Sequence, residues 1–171
     1  MNFGRLLFSL LAGGSLAVGG RLMVQAGKSR LVQAQEVRDL MVRVVSLALR
    51  TLSEMRGGGK VSASETYYFM FVAGRVAARH GVEMPEFKFN ARKGSLASSR
   101  LTFILRRMLG ENQLRMETNS LEPVWDAELP ELDKSQKAVL EKCGMIIDEV
   151  AAQWDTDTPD EQLVRFGKLF K

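Results

Sequence analysis

The chain has 171 residues, a net charge of +4, one histidine and one cysteine. That length means one domain with room for an appendage. A single cysteine excludes an internal disulfide framework, and one histidine without a Cys-x-x-Cys excludes an ordinary zinc site.

The charge is unevenly placed. Residues 1–110 hold 17 Lys and Arg against 6 Asp and Glu, or +11, whereas residues 111–171 hold 7 against 14, or −7. A basic front half fits an acidic partner such as phospholipid headgroups, nucleic acid or an acidic protein face. Alternatively, the two halves neutralise each other within one fold.

The first predicted element is the uncharged run from Leu6 to Gly20, bounded by Arg5 and Arg21. It has three readings. With Arg5 ahead of it and Ala17-Val18-Gly19 as an exit, it has the form of a cleaved signal. As a spanning helix it falls short of about 20 residues, but Met1–Phe3 and snorkelling arginines extend it. Leu6, Leu7, Phe8, Leu10, Leu11, Leu16 and Val18 would then insert into lipid. Ser9, Gly13 and Ala17, four apart, form a small-residue stripe for helix packing. As a soluble helix it would carry four glycines at about 1 kcal/mol each. Downstream Arg21, Lys28, Arg30, Arg38 and Arg43 place the following body in the cytoplasm. The expectation is a membrane anchor or inserted hairpin over 1–27, with lipids as partners. A helical domain over 28–171 follows, facing the cytoplasm, basic to residue 110 and acidic beyond.

Ser29 to Arg56 is the most periodic stretch. Ala34, Val37, Met41, Val44, Ala48 and Met55 recur at helical spacing, opposite a polar stripe of Glu36, Asp39, Arg43, Ser46, Arg50 and Glu54. Asp39 and Arg43 form an i,i+4 pair. Arg56-Gly57-Gly58-Gly59-Lys60 ends the helix. It lacks the spacing and the Ser or Thr of a phosphate-binding loop, since Val61 follows Lys60.

Ser62 to His80 is the next helix. Ser62 and Glu65 read as a capping box. Apolar residues on nearly every side make it a core helix, and Gly74 suggests a close helix crossing. Phe87 and Phe89 alternate with Lys88 in Val82–Asn90, and residues 113–118 alternate similarly. The two segments are a candidate short extended pair. Ser95 to Leu109 is helical, with Leu96, Ala97, Leu101, Ile104, Leu105 and Met108 on one face. Asn112 to Leu132 reads as loop, with Trp125 tucked onto the core. Asp133 to Trp154 and Thr158 to Phe170 are the last helices, the latter opened by Thr158, Pro159 and Glu161.

Chemistry-bearing residues are sparse. His80 sits in a last helical turn, where a cation complements the helix end. Trp154–Glu161 gathers four carboxylates but lacks the glycine and closing glutamate of a calcium loop. An enzyme using only carboxylates with Tyr67 and Tyr68 is a third reading, against a core role for both tyrosines. The stretch Lys88–Arg107 is the most suggestive. Lys88, Arg92, Lys93, Arg100, Arg106 and Arg107, interleaved with Phe87 and Phe89, can track phosphates or headgroups. The plain alternative is a solvated helix face.

A helix, a glycine turn and Val61-Ser62-Ala63-Ser64-Glu65 opening a second helix resembles the tellurite-resistance-B-like helical domains over about forty residues. Some of those follow a glycine-rich membrane segment. Gly57-Gly58-Gly59-Lys60 replaces the acid that family carries at the turn, so the resemblance implies no metal site here.

These readings converge on an all-α fold. The expected architecture is a compact bundle of five to six helices with a glycine-rich N-terminal helix and at most a short two-stranded pair. The expected function is a non-enzymatic, membrane-associated adaptor, assembly or structural subunit. It would bind another protein, or itself, through a basic and an acidic face, without cofactor, metal or small-molecule substrate. The alternative is a nucleic-acid-associated structural protein of viral or phage type that uses residues 88–107.

Overall fold

The structure, a computed structural model, describes residues 32–92 and 95–154, the side chains of 91, 92 and 95 excepted. Contacts divide the chain into Met1–Val37 and Arg38–Lys171. Of the first unit, residues 32–37 are described. They are exposed and begin the first helix, α1, over 32–55.

In the second unit α1 is a core helix. Val42, Val44, Val45, Ala48, Leu49 and Leu52 are fully buried, and two serines of the helix are buried with them, Ser46 of the polar stripe at 4% and Ser53 at 0% exposure. The helix ends as its glycines predict. Gly57 and Gly58 take positive φ of 69° and 86°, a region open to glycine at no steric cost. Gly58 N then donates to Ser53 O at 2.7 Å, which satisfies a terminal carbonyl. Ser53 Oγ donates to Gly59 O at 2.7 Å and locks the turn.

The chain then makes β1 (Val61–Ser62) and enters α2 (Ala63–Arg79) without a break. Ser62 pairs with Ser120 in the sheet, and its side chain accepts from Glu65 N at 3.1 Å as the N-cap of α2. Ala63 N donates to Asn119 O at 2.9 Å, which ties the first turn to the sheet. The Glu65 side chain does not reach back to the cap. It turns into the core instead. Phe69, Met70, Val72, Ala73 and Ala77 of α2 are buried, each to 1% or less. Full burial of a large apolar side chain contributes about 1.5–3 kcal/mol.

After Gly81 at φ 65°, the segment 82–89 crosses back over α2. A hairpin of β2 (Asn90–Arg92) and β3 (Ser95–Ala97) follows, and α3 (Ser99–Gly110) starts at the N-cap Ser98. Strands β4 (Leu114–Glu117) and β5 (Ser120–Pro123) complete an antiparallel sheet of order β1–β5–β4. Thr118 at the hairpin tip has φ 58°, unusual for a β-branched residue. α4 (Lys134–Ala151) opens with a capping box between Asp133 and Gln136 and packs on α2.

Several expectations are corrected. Among the described residues the fold has four helices, a three-stranded sheet and a separate two-stranded hairpin, not an all-α bundle of five to six helices. The proposed pairing of 82–90 with 113–118 does not form: residues 82–89 are in no strand, Asn90 pairs with Ala97, and residues 114–117 pair with 120–123. Leu96 and Ala97, expected in a helix, lie in β3. Ser98 is the residue whose side chain can accept the first free amide, so the helix starts there. The expected helix over 158–170 lies outside the described residues.

The membrane reading does not stand. Among the described residues no helix is long and apolar enough to cross a membrane. Charges interrupt each long one, with Arg38, Asp39, Arg43 and Arg50 in α1 and Lys137, Glu141, Lys142 and Asp148 in α4. The membrane-bound location and the cytoplasmic face are therefore not retained. The expected insertion residues Leu6, Leu7, Phe8, Leu10, Leu11, Leu16 and Val18, and the stripe Ser9, Gly13 and Ala17, lie outside the described residues.

Candidate interaction site

The basic stretch does not present itself as one free patch. Arg107, 20% exposed, stands 2.9 Å from Asp39 and 2.7 Å from Glu111. Asp39 thus pairs with Arg107 of α3. Arg100 donates to Glu86 O at 2.9 Å and lies 3.7 Å from the Glu86 carboxylate, with Lys88 3.9 Å from the same carboxylate. Arg106 is exposed. The side chains of Arg92 and Lys93 lie outside the described residues.

Other contacts join the basic half to the acidic one. Lys60 bonds Glu117, and this hydrogen bond, followed by the lysine's charge, holds the Glu117 carboxyl below the usual carboxylate range. His80 Nε2 lies 3.3 Å from Glu149. Part of the charge split is thus neutralised within the fold.

Two exposed aromatic side chains are each plated on an arginine of α1. Trp125, expected in the core, is 46% exposed. The Arg50 guanidinium lies over its ring at 5.5 Å, and Arg50 Nη2 donates to Trp125 O at 2.9 Å. Phe103, on the outer side of α3, is 51% exposed with Arg38 over its ring at 5.6 Å. Arg38 and Arg50 are twelve residues apart on α1. Arg50 of the polar stripe, and Arg38 near the start of the helix, are therefore beds for aromatics that arrive from two later segments. A cation over a ring is worth about 0.5–1 kcal/mol where exposed, and it also limits the positions the ring can take.

A groove of about 540 Å³ runs between α2 and residues 82–89, with Phe71, Gly74, Arg75, Met84 and Phe89 in its lining. α3 ties its outer wall down. Ser98 Oγ donates to Phe87 O, and Arg100 to Glu86 O. Phe89 packs edge-on against Phe71 at 5.6 Å. A Cβ at Gly74 would meet nothing within 4 Å. Gly74 therefore marks open floor in this groove, not a close helix crossing. The carboxylate of Glu86 on the rim is already engaged by Arg100 and Lys88, so few polar groups converge on a ligand there.

No family model, curated protein or solved structure matches this chain. The resemblance of the Gly57–Glu65 region to tellurite-resistance-B-like domains accordingly brings no site with it. Among the described residues no three His, Cys, Asp or Glu side chains gather as a metal site. Cys143 is buried, and burial pushes its thiol up to about 11, which leaves no reactive thiolate near neutral pH. Tyr68 is 6% exposed in the core, and Tyr67 Oη lies 2.6 Å from Thr102 Oγ1. Sequence reasoning missed the Arg50–Trp125 and Arg38–Phe103 pairs. Their partners lie 75 and 65 residues apart, and local periodicity carries no trace of such contacts.

Proposed function

We propose that this chain is a non-enzymatic adaptor or assembly subunit that binds another protein through exposed aromatic side chains seated on arginines. One observation carries the reading: Trp125 stays nearly half exposed although Arg50 holds it at both ring and carbonyl. Tryptophan, tyrosine and arginine dominate the energetics of protein interfaces. A ring held in place before binding also loses little freedom when a partner covers it. Phe103 with Arg38 supplies a second anchor, one turn from the exposed Arg106. Phe103 belongs to the basic half of the chain and Trp125 to the acidic half, which suits a partner bearing both charges.

The test is co-purification of the tagged full chain from its native cells, with Trp125→Ala and Phe103→Ala beside the unaltered protein and circular dichroism as the fold control. Proteins recovered with the unaltered chain should be lost from both variants. Equal recovery by all three overturns the reading. Tight binding to a random-sequence oligonucleotide at low salt, falling steeply as salt rises, would favour the nucleic-acid alternative.

A further inference from the structure

The free edge of the sheet is complementary to itself. Strand β4 is the outermost in the order β1–β5–β4, and Arg115, Met116 and Glu117 on it are exposed, Met116 at 57%. Its hairpin closes on the pair Glu117↔Ser120, with Arg115↔Glu122 and Leu114↔Pro123 behind it. In a two-residue hairpin the closing pair exchanges both hydrogen bonds, and bonded and non-bonded pairs then alternate. Val124 N donating to Gln113 O at 3.1 Å continues that alternation. Pro123, without an N–H, falls at a non-bonded pair, as the alternation requires. Glu117 and Arg115 thus direct their backbone groups to β5, and Met116 directs its N–H and C=O outward. Among the described residues neither group of Met116 finds a partner.

An unpaired edge is a template for another strand. Setting a second β4 antiparallel beside it about a two-fold axis at Met116 pairs the outward groups of Met116 and the charges on either side of it together. Met116 faces Met116 and the two exchange both hydrogen bonds. Arg115 faces Glu117 of the second copy, and Glu117 faces its Arg115. Opposite charges directly across a strand pair stabilise it, and like charges destabilise it. An axis shifted by one residue still pairs outward backbone groups, but it sets Arg115 against Arg115 or Glu117 against Glu117 of the second copy, and like charges directly opposite destabilise a strand pair. A shift of two moves the axis onto Leu114 or into the turn and unpairs the charges. The charges therefore select the register centred on Met116.

We infer that this chain forms a two-fold dimer by pairing β4 with β4 of a second copy, which extends the sheet to six strands. Such a pairing is isologous and closes after two copies. The strand is four residues long, so the contact sits at the small, reversible end of interfaces. The inference gives the assembly reading above a first partner and rests on that reading for its purpose, not for its geometry.

The test is sedimentation equilibrium of the full chain from about 10 µM to about 1 mM. The unaltered protein should dimerise reversibly. Arg115→Glu alone and Glu117→Arg alone each set like charges opposite one another and should weaken the dimer by about tenfold or more. The double exchange Arg115→Glu with Glu117→Arg should restore it. Met116→Pro removes the outward donor without touching the ladder to β5, and should give a folded monomer by circular dichroism. A monomer at every concentration, single exchanges that dimerise like the unaltered chain, or a double exchange that stays monomeric overturns the dimer. A monomeric chain whose protein partners still depend on Trp125 would overturn the dimer alone and leave the adaptor reading standing.

Discussion

The indole Nε1 of Trp154 donates to Glu65 Oε1 at 3.3 Å, across 89 residues of chain. Glu65 is 1% exposed. Arg56 Nη2 completes the site at 3.0 Å from Oε1 and 2.9 Å from Oε2, the second as an ion contact without hydrogen-bond alignment. The carboxylate thus joins the end of α4 to the start of α2 and to the turn after α1. Phe69 meets the same indole edge-on at 5.0 Å.

Removing one partner of a buried pair leaves a stranded charge, at about 3–5 kcal/mol for a fully buried one. Arg56 is 33% exposed, so water offsets part of that cost, and Arg56→Met should destabilise by about 2 kcal/mol. In a Glu65→Gln background the same change should cost clearly less. Urea unfolding of the four chains of this cycle measures the coupling. Equal costs in both backgrounds would show that the arginine serves through packing alone.

Cys143 gives an alkaline signature. Its thiol is raised from 9.0 to about 11 by burial. Between those values the unfolded chain releases a proton that the folded chain keeps, so stability falls as pH rises. The slope is at most about 1.4 kcal/mol per pH unit from this group. Cys143→Ala should unfold with a flatter dependence from pH 9 to 11, read as denaturation midpoints at each pH. Parallel curves for the two proteins would refute a role for the thiol.

The two glycines in helix interiors, Gly74 and Gly144, should respond differently to enlargement. At Gly74 an added Cβ meets open space, and Gly74→Ala should stabilise by about 1 kcal/mol through helix propensity. At Gly144 the same atom would lie 3.5 Å from Leu47 Cδ2, an ordinary contact. Gly144→Ala should therefore be tolerated, while Gly144→Leu overpacks the α1–α4 seam and costs about 1–3 kcal/mol. Thermal unfolding of the three variants checks the order.

Ser98 holds two elements with one hydroxyl. It accepts from Leu101 N at 3.1 Å and donates to the carbonyl of buried Phe87. Ser98→Ala should lose a cap and orphan that carbonyl, for about 2–3 kcal/mol together. Ser98→Thr should recover most of it. A loss below half a unit of pH-independent denaturation midpoint for Ser98→Ala, measured in urea on the molar scale, would argue against the double role (about 1 kcal/mol at usual slopes).

How far the sequence revealed this fold depended on whether the signal was local. Caps and stops are local, so α2 was expected at Ser62–His80 and occurs at Ala63–Arg79, and α4 was expected to open at Asp133 and does. Residues 113–118 alternate and were legible as extended, but their partner was not: Ser120–Pro123 is four residues long and ends on Pro123, which reads as a loop residue until its non-bonded place is seen. The surroundings of α1 were misread for a related reason. Ser46 and Arg50 belong to a polar stripe by composition, yet Ser46 is buried and the Trp125 ring rests on Arg50. The candidate site was accordingly the least visible part. Arg38 and Arg50 were in view as charges, and nothing nearby announced the rings that rest on them.

Ser62 closes a strand and opens a helix with the same residue. Slippage at β1 would therefore unseat the α2 cap, and fraying at the head of α2 would release the sheet. Amide protons of the first α2 turn and of β5 should become exchangeable in a single event, as one melting unit instead of two.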